Sequence, residues 1–154
     1  MRFWDSSGLI SLVLQEEATP ILESLLRRDH DIAIWWATPV ECASAQARAA
    51  RAGQLPARRA QAAHRIFAAL WRAAFVVEPS IDLRERAARL VHVHPLRAAD
   101  ALQLAAALDW CAERPAGESF VCLDQRLRTA AWAEGFELLP AAEEIHEPTA
   151  EVEY

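Results

Sequence analysis

The chain has 154 residues, 53% hydrophobic and 25% charged, which suits one globular domain with a real core and excludes a disordered chain. All 16 basic residues are arginine, so P-loop phosphate binding, Schiff-base chemistry and lysine-dependent aspartyl-phosphate chemistry are excluded. The net charge of −6 gives no overall field to attract nucleic acid, but seven of the 22 acids lie from Glu134 onward, which leaves residues 1–133 at a net +1.

Short apolar runs alternate with longer helical patterns along the chain, which predicts an α/β fold, a parallel sheet covered by helices. Residues 2–5 read as a strand, followed by Ser6-Ser7-Gly8 and an amphipathic stretch to about Gln15. A helix runs from Thr19 to Arg28, Asp29-His30-Asp31 breaks it, and Ile32 to Trp35 form the second strand. Thr38 begins a helix to about Ala52 that Gly53 ends, and Pro56 opens another reaching Ala73. Phe75-Val76-Val77 is the third strand, and Ser80 caps a helix to about Val91. Residues 97–113 form the next helix, and Phe120 to Leu123 the fourth strand. The following helix ends at Gly135, a C-terminal glycine cap, before a fifth strand at the sheet edge, Phe136-Glu137-Leu138. Residues 1–140 are expected to form the domain and 141–154 an acidic tail without periodicity, expected to be disordered.

Ligands of open α/β sheets bind outside the carboxyl ends of the strands. Asp5 and Asp124 end the first and fourth strands, Glu41 lies in the first turn of the helix after the second, and Asp100 lies near the start of the helix before the fourth. Each has a structural alternative. Asp5 and Asp124 suit helix caps, and Thr38-Pro39-Val40-Glu41 suits a capping box with Glu41 reaching back to the Thr38 amide. From Ala98 to Cys111 the only polar residues are Asp100, Gln103 and Asp109, so this helix should be buried. At about 100° per residue Asp100 and Asp109 point in opposite directions, which leaves Asp109 for solvent. A buried Asp100 needs an arginine, with Arg97 nearest along the chain, or a metal. An all-oxygen donor set suits Mg²⁺ or Mn²⁺, and the chemistry implied is metal-assisted attack of water on a phosphodiester.

Four segments carry a resemblance: Phe3-Trp4-Asp5-Ser6-Ser7-Gly8-Leu9, Thr38-Pro39-Val40-Glu41, Leu96-Arg97-Ala98-Ala99-Asp100-Ala101-Leu102-Gln103-Leu104-Ala105 and Phe120-Val121-Cys122-Leu123-Asp124-Gln125-Arg126-Leu127. In order, spacing and flanking residues they resemble the PIN-domain family, and within it the VapC-type toxins of toxin–antitoxin pairs, over residues 1–140. The resemblance implies a three-layer α/β/α sandwich with a central parallel sheet of four to five strands. It also implies a Mg²⁺- or Mn²⁺-dependent endoribonuclease, inhibition by a VapB-type antitoxin, and a homodimer. Asp5, Glu41, Asp100 and Asp124 map onto the family's catalytic and metal-binding acids, and Ser7 onto its accompanying hydroxyl residue. Cys122 departs from the family pattern, where many relatives carry Thr or Ser.

The acid-free stretch between Glu41 and Glu78 holds Arg48, Arg51, Arg58, Arg59, Arg65 and Arg72. It reads as a phosphate track for RNA, with Arg58, Arg59 and Arg97 as candidates, as a solvated helical face, or as a docking surface for the antitoxin or a second copy. His92 and His94 are expected in a helix-to-helix connection rather than at a metal. The tryptophans read as core and interface packing, except Trp36, which stands beside the crevice. Scattered Cys42, Cys111 and Cys122, the lack of a signal-peptide pattern and of any membrane-length apolar run lead to the expectation of a cytoplasmic protein. A non-toxin RNA-processing nuclease of the same family and a catalytically silent RNA or protein interaction module are the rival readings.

Overall fold

The sheet is built on strict alternation. In the computed structural model, which describes residues 1–146, Phe3 and Trp4 are both fully buried yet belong to cores on opposite faces. Strands β1 (Arg2–Trp4), β2 (Ile32–Trp35), β3 (Phe75–Val77), β4 (Ser119–Val121) and β5 (Glu137–Leu139) form one five-stranded sheet in the order β3-β2-β1-β4-β5. Every pairing is parallel, with Phe3 beside both Ala33 and Phe120. All of β2 is buried, as a parallel strand covered on both faces must be.

Helices α1 (Ser6–Leu14), α2 (Thr19–Arg28), α3 (Thr38–Arg51) and α4 (Ala57–Ala73) cover one face. Their apolar sides meet Trp4, Ile32, Ile34 and Val121. Helices α5 (Ile81–Val93), α6 (Ala98–Trp110) and α7 (Gln125–Glu134) cover the other, over Phe3, Ala33, Trp35 and Phe120. The result is the expected three-layer α/β/α sandwich. Small side chains let α6 come close to its neighbours: Ala105, Ala106 and Ala107 are fully buried there.

The connections explain where a crevice must open. From β1 the chain steps through β2 to β3 over the α1–α4 face, then crosses below the α5–α6 face to enter β4 on the other side of β1. The β1/β4 boundary is therefore the topological switch point, where helices leave the sheet in opposite directions and part at the carboxyl edge.

Several boundaries differ from expectation. β4 ends at Val121, so Cys122 and Leu123 belong to the segment leading to α7, although the Cys122 amide still donates to the Leu139 carbonyl at 3.0 Å. α5 continues to Val93, which puts His92 in its last turn rather than in a connection, with His94 as its C-cap. Gly135 caps α7 with φ +109°, a backbone conformation that suits glycine. A short helix, α8 (Ala142–His146), follows Pro140 where no element was expected, and the rest of the acidic tail lies outside the described residues. Among the described residues no helix is long and apolar enough to cross a membrane.

Candidate active site

Asp5 follows β1 directly, and its backbone amide donates to the Val121 carbonyl at 2.9 Å, which pins it between β1 and β4. Its side chain is 3% exposed. Oδ2 accepts the Ser7 amide at 2.9 Å and the Ser7 hydroxyl at 2.5 Å, and the Cys122 thiol lies 3.6 Å away. Asp5 is thus the N-cap of α1, as the structural alternative required, while the Ser7 and Cys122 contacts all fall on one oxygen. Ser7 also accepts the Leu123 amide on its Oγ at 2.9 Å, which ties α1 to the segment after β4. Cys122, despite departing from the family pattern, stands within reach of Asp5 and Ser7.

Asp124 and Asp100 repeat the arrangement. Asp124 caps α7 by accepting the Leu127 amide on Oδ1 at 2.9 Å, and Asp100 accepts the Arg97 amide on Oδ2 at 3.3 Å. Each of these three carboxylates serves its own helix through one oxygen. The second remains for other partners.

Glu41 overturns its structural alternative. Thr38 lies inside α3, whose N-cap is Ala37, and Glu41 makes no capping box. Its Oε2 instead accepts the Ser6 hydroxyl at 2.9 Å and its Oε1 the Gln103 side-chain amide at 3.0 Å. Gln103 is buried, also donates to Thr38 Oγ1 at 3.1 Å, and keeps a buried carbonyl oxygen with no hydrogen-bond partner. Three elements (α1, α3 and α6) therefore meet at one glutamate.

The electrostatics are those of like charges only partly offset by nearby arginines. Burial raises the Asp5 carboxyl above the usual carboxylate range, with the Ser7 hydrogen bonds opposing it. Burial raises Glu41 too, and the charges of Asp5 and Asp100 add to that. Asp100 is raised by burial and then by Asp124, with Arg126 and Arg97 acting against the shift. None of the four acids forms an ion pair among the described residues, so the arginine partner considered for Asp100 is not found. The carboxylates stand as mutually repelling neighbours, and among the described residues no three His, Cys, Asp or Glu side chains are gathered as a ready ligand set. In donor chemistry, though not as a gathered set, these carboxylate oxygens suit a hard divalent cation such as Mg²⁺ or Mn²⁺.

No family model matches the chain, and no curated protein matches it.

The other candidates fall in different places. Arg58 is exposed on the first turn of α4, and Arg59 beside it donates to the Leu14 carbonyl at 3.0 Å, a tie between α4 and α1. Arg97 is exposed at the N-cap of α6, close enough for its charge to act on Asp100. Asp109 faces outward, as expected, and pairs with Arg86 at 3.3 Å. His94 meets Glu134 at 2.7 Å, a bridge from the end of α5 to α7. Trp36 is 53% exposed just after β2, while Trp132, expected to pack, is 69% exposed on α7.

Two residues matter that sequence reasoning did not single out. Arg128 is buried, and its guanidinium donates to the carbonyls of Cys122 at 2.7 Å and Pro140 at 2.8 Å. It clamps the backbone just before Asp124, and burial pulls its guanidinium below the usual arginine range. The signal was an arginine among Leu127, Ala130 and Ala131 on a helix face that packs inward. Ser6, at the start of α1, is the second, because only the packing of α1 on α3 brings it to Glu41.

Proposed function

We propose that the chain is a divalent-metal-dependent endoribonuclease of the PIN type, acting as the toxin of a VapBC-like toxin–antitoxin pair. The observation that carries this reading is the set Asp5, Glu41, Asp100 and Asp124 around the β1/β4 switch point, with burial raising the first three carboxyls and none of the four paired with an arginine among the described residues. The four segment matches support the family, and the same resemblance supports a cytoplasmic homodimer with a VapB-type antitoxin as partner.

Asp5, Asp100 and Asp124 would hold the ion through the oxygens not used in capping, with Glu41 beside them. When bound, Mg²⁺ or Mn²⁺ supplies Lewis acidity and positive charge for attack of water on a phosphodiester, with 5′-phosphate and 3′-hydroxyl ends as the products implied by the resemblance. The chain's own residues do the positioning. Ser7 fixes the rotamer of Asp5 and also holds the Leu123 amide, and Gln103 with Ser6 fixes both oxygens of Glu41. Arg128 holds the carbonyl of Cys122 and so the approach to Asp124. Preorganisation of this kind removes reorganisation from the reaction step.

The test is cleavage of total cellular RNA by the purified chain with Mn²⁺, wild type against Asp100→Asn. Cleavage by the wild type and a loss of at least about a hundredfold in the variant, with circular dichroism unchanged, is the expected result. Equal activity in both proteins would overturn the assignment. RNA binding by the wild type without Mn²⁺-dependent cleavage would favour the silent interaction module instead.

A further inference from the structure

Two cavities flank the acidic crevice on the α1/α3 side, of about 540 Å³ and about 380 Å³. The larger reaches Ser7, Leu123 and Asp124, and the smaller reaches Ser6 and Glu41. Ile10 and Arg48 line both. Among the described residues Arg48 is the only cation lining either cavity, whereas the carboxylates of Glu16 and Asp124 line one and that of Glu41 the other.

Position on α3 explains this. Glu41, Ser44 and Arg48 follow the three-and-four spacing of one helix face, so Arg48 stands two turns beyond Glu41, about 10 Å along the axis. Its Nη1 donates to Ser44 Oγ at 2.8 Å, which turns the guanidinium along that face. A guanidinium has five N–H donors, and Arg48 forms no ion pair among the described residues despite the acids nearby. By contrast, Arg59, the more obvious basic candidate in the chain, spends a donor on the Leu14 carbonyl at the rim of the larger cavity.

We infer that Arg48 binds a phosphate of the substrate strand one or two phosphodiesters from the one cleaved, so that the strand runs from the acidic crevice along the α1/α3 groove. This rests on the endoribonuclease reading. A polyanion entering a site of four carboxylates is repelled by them, and a fixed cation one or two phosphodiesters away offsets that repulsion and sets the strand's direction. Arginine suits the position because its planar fork holds a phosphate through two parallel hydrogen bonds.

The experiment is steady-state cleavage of a dye-labelled, mixed-sequence oligoribonucleotide with Mn²⁺ by wild type, Arg48→Ala, Arg48→Lys and, as a control exposed on α5 across the sheet, Arg89→Ala. Arg48→Ala is expected to raise KM about tenfold with kcat changed less than about twofold, as loss of one charge-assisted phosphate contact predicts. The salt dependence of kcat/KM should flatten by about 0.7 in its logarithmic slope, the share of one phosphate on a single strand. Arg48→Lys should recover part of the loss, and Arg89→Ala should match wild type. Binding measured by fluorescence polarisation on an Asp5→Asn background should show the same ratio without turnover. If the wild type cleaves while KM and salt slope are unchanged in Arg48→Ala, the inference falls and the nuclease reading stands. If the wild type neither binds nor cleaves the probe, both fall.

Discussion

Replacing Asp5 by Asn tests the site through stability before any RNA is added. The carboxylate is 3% exposed and pairs with no arginine among the described residues. Its desolvation costs several kcal/mol in effective terms. Against that stand the hydrogen bonds from the Ser7 amide and hydroxyl, each worth about 1.5–3 kcal/mol to a charged acceptor. Asn caps a helix about as well as Asp and keeps one oxygen for Ser7, so the variant loses the charge and its repulsion with Glu41 but retains the cap. In metal-free buffer Asp5→Asn should therefore match wild type or exceed it by on the order of 1 kcal/mol, about 2–4 °C in Tm for a domain of this size. Saturating Mn²⁺ reverses the order. At about 100 times Kd the wild type should gain about 2.7 kcal/mol, and the variant far less. Scanning calorimetry in EDTA and then in Mn²⁺ reads both halves. A variant melting several degrees below wild type in EDTA would show that the carboxylate serves the cap alone, and equal Mn²⁺ shifts in both proteins would remove Asp5 from the ligand set.

Two further outcomes are expected. Burial raises the carboxyls of Asp5, Glu41 and Asp100 above their ordinary range, and neighbouring carboxylates add to this at Glu41 and Asp100, so in their charged form they cost stability at neutral pH, and that cost disappears as pH falls through the raised range. Urea titrations in EDTA should accordingly show the stability gap between Asp5→Asn and wild type narrowing as pH falls below neutral, whereas a widening gap would contradict the sign of the shift. Arg128→Leu strands the buried carbonyls of Cys122 and Pro140, at about 1–3 kcal/mol each, so a loss of about 3 kcal/mol by denaturant unfolding is expected, together with reduced cleavage because the approach to Asp124 is freed. Unchanged stability would remove Arg128 from its clamping role.

The sequence alone carried the alternation of elements, because hydrophobic period and turn chemistry are local properties. It also carried the four acids as residues at the ends of strands or starts of helices. Local chemistry further foretold that Asp5 and Asp124 would cap helices. For Glu41 only the capping alternative failed, since the Thr38-Pro39-Val40-Glu41 pattern satisfies a capping box on paper, while the packing of α1 and α6 against α3 offers Ser6 and Gln103 as partners at 2.9 and 3.0 Å. Contacts 35 and 62 residues apart in the chain leave no mark in a local window. Strand order was decided the same way. Only the crossing of the chain from β3 to β4 sets β1 beside β4 and brings Asp5 to Cys122, at the start of the segment that leads to Asp124. That placement depends on which apolar faces bury each other, a property of the whole chain, and it is what turned Arg48 and Arg128 from two of many arginines into a groove-lining cation and a buried clamp.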